Sequence, residues 1–241
     1  MFYTIAEVMK MLIKLQGIKK AFGEKKIFNH LNLEIKRGEI FALIGPNGVG
    51  KTTLMRMILN WDRDFEGEYL KEEGIKIGYS PETPVFPEIL SGRQVLEYYM
   101  EVRGFDKSFY RKESVRLMEK VGLSLKDTRV KNYSKGMKQR LAVAQALIGD
   151  PDLLLLDEPS AGQDFLGQQQ MQDLIAELKK DKKGILLNSH LLYDVEKVAD
   201  RGIIIMNEKI CREFTRDDFK KISLADMFLE LAKEVRYEGS Y

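Results

Sequence analysis

Hydrophobic and polar residues alternate in the first part of the chain. Leu31, Leu33 and Ile35 are separated by polar residues, and this period of two is typical of a strand with one buried face. The run at 39–44 is apolar after its first residue, which predicts a fully buried strand. The elements predicted up to residue 80 are strands at 12–22, 28–35, 39–44, 68–70 and 75–79, and a helix at 53–59.

The pattern changes at the prolines of segment 81–87, because these residues interrupt regular structure. Apolar residues then recur at helical spacing. This spacing predicts helices at 94–102, 109–121 and 138–148. Ser91 and Ser134 precede helical segments and are expected to be N-caps. Residues 85–150 are therefore predicted to form a helical insert.

Strands and helices alternate again beyond residue 150. The predicted elements are strands at 153–156 and 185–188, helices at 167–180 and 191–199, and a hairpin at 203–214. Strands that alternate with helices imply a mainly parallel sheet. The sequence therefore predicts an α/β fold in three parts, which are a first core part at 1–84, the helical insert at 85–150, and a second core part with a helical tail at 151–241.

A glycine-rich segment joins the predicted strand at 39–44 to the helix that begins at Thr53. It fits the pattern G-x-x-x-x-G-K-[ST] and consists of Gly45, Pro46, Asn47, Gly48, Val49, Gly50, Lys51 and Thr52. In this context, backbone N–H groups and the positive end of the helix face bound phosphates. Lys51 adds a charge for the β- and γ-phosphates, and the Thr52 hydroxyl can bind Mg²⁺. We therefore predict a nucleotide site that includes these residues and Thr53.

Two carboxylates follow the apolar run at 153–156. A carboxylate at the end of a buried parallel strand lies at the sheet edge where ligands bind. We predict that Asp157 holds Mg²⁺, through water, and that Glu158 polarises the attacking water as a general base. The alternative is a solvated pair at an ordinary strand end, and the glycine-rich segment disfavours it.

Composition excludes several classes of protein. The 241 residues are 44% hydrophobic and 32% charged, as in a globular protein. One cysteine, Cys211, excludes an internal disulfide and fits a reducing compartment. No apolar run approaches the roughly 20 residues that span a bilayer. The first ten residues carry no signal-peptide pattern, and Met9 and Met11 are possible alternative starts.

The charge balance does not indicate a nucleic-acid partner. The formal net charge is +2, whereas nucleic-acid binders carry a strong basic patch. The basic runs at 19–20, 25–26 and 179–183 are therefore expected to be solvated loops.

The segment 133–140 opens a predicted helix shortly before Asp157. Its sequence, Tyr-Ser-Lys-Gly-Met-Lys-Gln-Arg, is similar to the Leu-Ser-Gly-Gly-Gln signature of ATP-binding cassette (ABC) ATPases. The order of glycine loop, helical insert, signature and Leu-rich strand ending in Asp-Glu also resembles this family. The resemblance covers residues 12–214 and implies a P-loop NTPase cassette, with a parallel-sheet core, an antiparallel β portion and a helical subdomain. It also implies that Ser134 Oγ and the Gly136 N–H contact a phosphate.

Three further residues match positions of this family. Phe22 matches the aromatic residue that stacks on adenine. Asp164 fits the aspartate of the dimer loop. His190 matches the switch histidine, which contacts the γ-phosphate. Without the resemblance, Phe22 is interpreted as a core residue and His190 as a structural one.

The chain departs from the family pattern at three positions. Glu82 stands where many members have glutamine, and its oxygens can still bind Mg²⁺ although an ionised carboxylate donates no hydrogen bond. Lys135 replaces the usual glycine of the signature, while Ser134 and Gly136 are kept. Gln163 replaces a common leucine before Asp164, which leaves the packing of the dimer loop open.

The resemblance implies an ATP-hydrolysing subunit of a membrane transporter that uses ATP and Mg²⁺. The signature of one subunit caps ATP on the glycine loop of another, so we expect a head-to-tail dimer with a second copy or a paralogue. A separate transmembrane subunit is expected to dock near Glu82 and the insert. This places the chain in the cytoplasm, at the inner face of the membrane. The tail at 222–231 resembles that of exporter cassettes.

Two other functions are compatible with parts of the sequence. A soluble cassette ATPase could clamp a scaffold, as in iron–sulfur cluster assembly, and the hydropathy of the neighbouring reading frame separates this from a transporter subunit. A module that only binds ATP is disfavoured, because Glu158 and His190 are both present. The transported substrate and the choice between homodimer and heterodimer stay open.

Overall fold

The structure, a computed structural model, describes residues 10–123 and 127–238, so the possible start at Met9 lies outside it. The strands of this part are β1 (Met11–Phe22), β2 (Lys25–Lys36), β3 (Ile40–Ile44), β4 (Glu66–Lys71), β5 (Ile77–Ser80), β6 (Leu153–Asp157), β7 (Gly184–Asn188), β8 (Arg201–Met206) and β9 (Lys209–Thr215). The helices are α1 (Lys51–Ile58), α2 (Gly92–Val102), α3 (Lys107–Lys120), α4 (Lys135–Ala146), α5 (Phe165–Lys180), α6 (Leu192–Val198) and α7 (Leu224–Glu238). Every strand and helix predicted up to residue 214 is present, with ends shifted by at most three residues, and the predicted helical tail is α7.

A six-stranded sheet forms the centre of the fold, in the order β5-β6-β7-β3-β8-β9. Its first five strands are parallel to their neighbours, and β9 is antiparallel to β8. All residues of β3, β6 and β7 are buried, as in parallel sheets that are covered on both faces. The carboxyl ends of these three strands lie at one edge of the sheet, where the glycine loop and Glu158 follow.

Neighbouring residues of β3 enter two different hydrophobic cores. Ile40, Ala42 and Ile44 pack in a core that includes residues of α2–α7. Phe41 and Leu43 pack with α1 and with the antiparallel sheet β2-β1-β4. Successive side chains of a strand point to opposite faces, so this one strand joins both layers and holds the glycine loop between them.

Helices α2 and α4 begin at the serines that the sequence predicts as N-caps. Ser91 closes a capping box at the start of α2, and Ser134 Oγ accepts a backbone N–H of the first turn of α4 at 3.2 Å. The C-terminal end of α4 packs closely on β5, because a Cβ at Gly78 would lie 2.1 Å from the carbonyl oxygen of Ala146. Only glycine at this position permits that approach.

Helices α2, α3 and α4 lie within the predicted insert. The domain boundaries at residues 84 and 150 stay predictions. Within residues 10–123 and 127–238, no helix combines the length and the hydrophobicity needed to cross a membrane.

The expectation that the basic runs are solvated loops is wrong, because residues 19–20 lie in β1, residues 25–26 in β2 and residues 179–180 in α5, and two of the lysines are buried. Lys20 lies in β1, is 4% exposed and donates to Asp62 Oδ1 at 2.9 Å. Lys183 is 8% exposed and donates to Asp150 Oδ1 at 2.6 Å. Both ammonium groups are paired, as burial of a charge requires. Residues 25–26 are exposed but belong to the start of β2.

Candidate active site

The glycine loop leaves backbone N–H groups free at the start of α1. Gly48 and Gly50 have φ angles of 80° and 108°, which favour glycine. A Cβ at Gly50 would lie 2.4 Å from Ile27 Cγ2, so a side chain has no room there. Gly50 is the N-cap of α1, and no side chain caps the first turn. These N–H groups are therefore available to an anion at the positive end of the helix.

Lys51 is held inside the loop. Its side chain is buried, and Nζ donates to the carbonyl oxygens of Gly45 at 2.6 Å and Pro46 at 3.1 Å. Burial lowers the pKa of Lys51, and the charges of nearby carboxylates, Glu158 foremost, oppose this shift. The ammonium group thus has partners that phosphate oxygens can replace.

A cavity of about 510 Å³ opens in front of the loop. Its lining consists of Ile27, Asn47, Gly48, Gly50, Lys51, Thr52, Thr53, Glu82, Glu158, Asn188 and His190. The structure therefore brings the glycine loop, Glu82, Glu158 and His190 around one space. Two of the lining residues, Ile27 and Asn188, were not predicted, and an apolar strand residue such as Ile27 gives no signal in the sequence.

Asp157 is buried at the carboxyl end of β6 and faces the loop. Its Oδ2 lies 3.5 Å from Thr52 Oγ1, and its Oδ1 accepts from Asn188 Nδ2 at 2.5 Å. Burial raises the pKa of Asp157. The hydrogen bond from Asn188 lowers this pKa, whereas the negative charges of Glu82 and Glu158 raise it further. The position of Asn188 at the end of β7 was the signal that could have indicated its role, since site residues gather at this edge.

Glu158 is fixed by its surroundings in an unusual conformation. Its φ is 50°, which is uncommon for a residue other than glycine, and its N–H donates to the Asn188 carbonyl at 2.9 Å. Its Oε2 lies 2.8 Å from His190 Nδ1, without the alignment of a hydrogen bond. Backbone strain of this kind is common at active sites, where the structure around it holds it in place.

Seven of the predicted nucleotide-binding residues do not line this cavity. They are Phe22, Gly45, Pro46, Val49, Ser134, Gly136 and Asp164. Three of these belong to the glycine loop itself. Ser134 and Asp164 are the N-caps of α4 and α5. Phe22 ends β1, half exposed, with Lys20 Nζ 4.6 Å from its ring centroid.

The model of the ABC transporter family matches residues 28–161, which is more than half of the chain. The chain belongs to the ABC transporter family.

Relatives and solved structures agree with this assignment. An uncharacterised ABC transporter ATP-binding protein of Nostoc sp. is 41% identical over 192 residues, which cover 75% of this chain and 57% of that protein. The lantibiotic transport ATP-binding protein SrtF of Streptococcus pyogenes is 37% identical over 210 residues, which cover 84% of this chain and 90% of that protein. A solved ATP binding subunit of an ABC transporter has a TM-score of 0.80 at 26% identity, and the match covers 92% of this chain and 99% of that chain.

These findings confirm the family that the signature segment indicates. The fold is that of an ABC ATPase cassette. The family match confirms the prediction of an ATP-hydrolysing subunit of a transporter. The roles of individual residues stay predictions.

The ABC cassette also offers a set of oxygen atoms that fits Mg²⁺. Thr52 Oγ1 and Asp157 Oδ2 converge, and Glu82 lines the same cavity. Mg²⁺ takes oxygen ligands, and beside substrate phosphates it needs only one or two carboxylates. Among residues 10–123 and 127–238, no three His, Cys, Asp or Glu side chains form a metal cage.

Proposed function

We propose that this chain hydrolyses ATP in the cavity in front of the glycine loop and thereby drives an exporter. The observation that supports this most is the convergence of Lys51, Glu158 and His190 on one space. The loop N–H groups and Lys51 hold the triphosphate, as in other phosphate loops. Phe22 is proposed to stack on the adenine.

Glu158 is the proposed general base. Its carboxylate takes a proton from water while the water oxygen attacks the γ-phosphorus. The bond from the γ-phosphorus to the β–γ bridging oxygen breaks, and ADP and phosphate are released. His190, 2.8 Å from Glu158, contacts the γ-phosphate and orients the carboxylate. A positioned base contributes about 10²–10⁴-fold to the rate.

Thr52, Asp157 and Glu82 are the residues proposed to hold Mg²⁺. The ion, when bound, neutralises charge on the β- and γ-phosphates. Asn188 keeps Asp157 oriented through their 2.5 Å hydrogen bond. A nearby cation favours the ionised form of a carboxyl group, so the raised pKa of Asp157 is expected to fall when the ion binds.

Ser134, Gly136 and Asp164 are proposed to act on the nucleotide of a second cassette. They lie outside the cavity of their own chain. Ser134 and Asp164 stand at helix N-termini, where backbone N–H groups favour phosphates. A head-to-tail pair with two-fold symmetry lets each chain complete the site of the other. ATP joins the pair, and hydrolysis releases it.

A mixture of two inactive variants tests this pairing. Lys51→Ala removes the cation of the loop. Ser134→Asp keeps a good N-cap but places a carboxylate against the phosphate of the second chain. Each variant alone should lose turnover. In an equal mixture half of the dimers are mixed and each keeps one intact site, so up to about a quarter of the wild-type rate should return. A mixture that gains neither turnover nor ATP-dependent mixed dimers contradicts the head-to-tail arrangement.

A groove of about 490 Å³ beside Glu82 is the proposed docking site of a separate transmembrane subunit. It is lined by residues of the core, of α2 and of α4, and its wall includes Trp61 and Val85, which are 66% and 83% exposed. Large exposed apolar side chains of this kind mark protein interaction sites. Docking there places the chain at the cytoplasmic face of a membrane. The transport named for SrtF supports an exporter.

Purification of the tagged chain from native membranes tests the docking proposal. An integral membrane protein should be recovered with the wild type and lost with Val85→Asp. Val102→Asp is the matched control, because Val102 is 65% exposed but does not line the groove. Recovery of a soluble scaffold protein instead would favour a cassette of the iron–sulfur assembly type.

A further inference from the structure

A buried lysine lies against the aromatic ring that ends β1. Lys20 and Phe22 are two residues apart on this strand, so their side chains point to the same face of the sheet. Lys20 Nζ lies over the Phe22 ring, 4.6 Å from its centroid, which is within the range of a cation–π interaction. Phe22 is nevertheless 51% exposed. One face of the ring is therefore covered by the ammonium group, and the other face is open to a flat ligand.

The segment that follows α1 fixes the ammonium group of Lys20. Nζ donates to Asp62 Oδ1 at 2.9 Å, to the Asp64 carbonyl oxygen at 2.5 Å and to Asp64 Oδ2 at 3.4 Å. Asp62 Oδ1 also accepts the Asp64 N–H at 3.1 Å, which holds these acceptors together. Burial lowers the pKa of Lys20, but the hydrogen bonds to Asp62 and Asp64 outweigh this effect and raise the pKa overall. Lys20 is therefore a cation at neutral pH and is held in one position.

The end of the hairpin formed by β1 and β2 lies next to the glycine loop. Phe22 pairs with Lys25 in the register of the hairpin, and Ile27, two residues further along β2, lines the nucleotide cavity. A Cβ at Gly50 of the loop would lie 2.4 Å from Ile27 Cγ2, so the hairpin and the loop are in close contact. The open face of Phe22 is therefore within reach of a base that is joined to phosphates on the loop.

We propose that Lys20 is a positioning residue, which holds the Phe22 ring in place and increases the affinity of the site for the base of the nucleotide. The π-electrons of an aromatic ring give its faces partial negative charge, which disfavours face-to-face stacking. A cation beneath one face attracts these electrons, so the opposite face repels a stacked base less. The inference rests on the proposed function, since it requires a base on Phe22.

Titration calorimetry with two ligands in the presence of Mg²⁺ tests this role. ADP carries the base, inorganic pyrophosphate carries only the phosphates, and neither has the γ-phosphate that the site hydrolyses. The wild type should bind ADP more tightly than pyrophosphate. Lys20→Met should weaken ADP binding by about three- to tenfold, the scale of a cation–π interaction, and should leave pyrophosphate binding unchanged. A residue that only stabilises the fold would not act on the base alone.

Lys19→Met is the matched control. Lys19 is the neighbouring lysine of β1, its side chain points to the opposite face, and its Nζ donates to Glu66 Oε2 at 3.2 Å. This variant should keep both wild-type affinities, although it removes the same charge and also breaks an ion pair. If Lys20→Met does not fold because Asp62 loses its partner, it is combined with Asp62→Asn, which removes the unpaired charge.

Phe22→Ala shows whether Lys20 acts through the ring. This variant should weaken ADP binding by about 5- to 150-fold, the scale of base–aromatic stacking, and should leave pyrophosphate binding unchanged. When Lys20→Met is added to Phe22→Ala, the affinity for ADP should fall no further, because the ring through which the lysine acts is already absent. The two changes should therefore be strongly non-additive, as expected of residues in contact.

Three results overturn the role of Lys20. They are an unchanged affinity for ADP in Lys20→Met, an equal loss of affinity for ADP and pyrophosphate, and a loss that persists in full when Phe22 is already alanine. Failure of the proposed function has a different signature. A wild type that does not bind ADP contradicts the nucleotide site itself, and an unchanged affinity for ADP in Phe22→Ala contradicts the stacking of the base.

Discussion

Nδ1 of His190 lies 2.8 Å from Oε2 of Glu158, although the two side chains differ strongly in exposure, at 64% and 8%. The pair joins the ends of β6 and β7, which are neighbours in the central sheet. A buried carboxylate beneath an exposed imidazole is suited to activating water, because the imidazole can cover the carboxylate or turn towards a phosphate. Loss of Glu158 should therefore separate ATP binding from ATP hydrolysis.

Glu158→Gln is expected to bind ATP but to hydrolyse it at least about 10²-fold more slowly, the scale of a lost general base. The amide also removes a negative charge that repels the γ-phosphate, so an ATP-bound dimer should accumulate. Gel filtration with ATP and Mg²⁺ measures the dimer, and phosphate release measures turnover. If the variant stays monomeric at concentrations at which the wild type dimerises, the proposed ATP-bound head-to-tail dimer is wrong.

Lys51→Ala is expected to weaken ATP binding and to abolish turnover. The variant loses the cation that faces the phosphates, and the loop carbonyls of Gly45 and Pro46 lose their donor. Titration calorimetry with ATP measures the affinity. Lys180→Ala, which removes an exposed lysine at the end of α5, controls for the change in net charge and should bind ATP normally. Wild-type affinity in Lys51→Ala would contradict the proposed site.

Asp157→Asn is expected to stabilise the protein without nucleotide at neutral pH. Burial raises the pKa of Asp157 above its ordinary value of 3.8. The unfolded chain therefore releases this proton at a lower pH than the folded chain, and stability falls as the pH rises from 3.8 through the raised pKa. The uncharged amide removes this loss and can still accept the hydrogen bond from Asn188.

Thermal unfolding across about pH 4 to 7 checks the prediction for Asp157. The melting temperature of Asp157→Asn should depend less on pH than that of the wild type. The variant should also gain less stability from ATP with Mg²⁺, since a carboxylate oxygen that faces Thr52 is lost. An unchanged pH dependence would show that Asp157 is not the titrating group.

Glu82→Gln is expected to keep most of the basal ATPase activity, whereas Glu82→Ala should lose stimulation by the membrane subunit more than basal turnover. The amide oxygen of glutamine replaces one carboxylate oxygen, and water activation is assigned to Glu158. The ATPase rate of both variants is measured with and without the transmembrane subunit. If neither rate changes in either variant, Glu82 has no part in coupling.

The fold was largely predictable wherever the determining signal is local. Alternation predicted β2, apolar runs predicted β3 and β6, and Ser91 and Ser134 were predicted as N-caps because capping depends on a few neighbouring residues. The basic runs were predicted less well, since nothing in the local sequence shows that Lys20 pairs with Asp62 across the fold. The sheet order was not predicted at all, because it is set by packing between distant segments.

The sequence by itself determined the elements, the glycine loop and the carboxylates Asp157 and Glu158, because spacing along the chain defines each of them. Only the tertiary structure decided that β7 lies between β6 and β3, which brings Asn188 to Asp157 and His190 to Glu158. It likewise decided that Gln139 meets the Pro81 carbonyl. The physical reason is that these contacts join segments far apart in the chain, and burial of the two hydrophobic cores selects them.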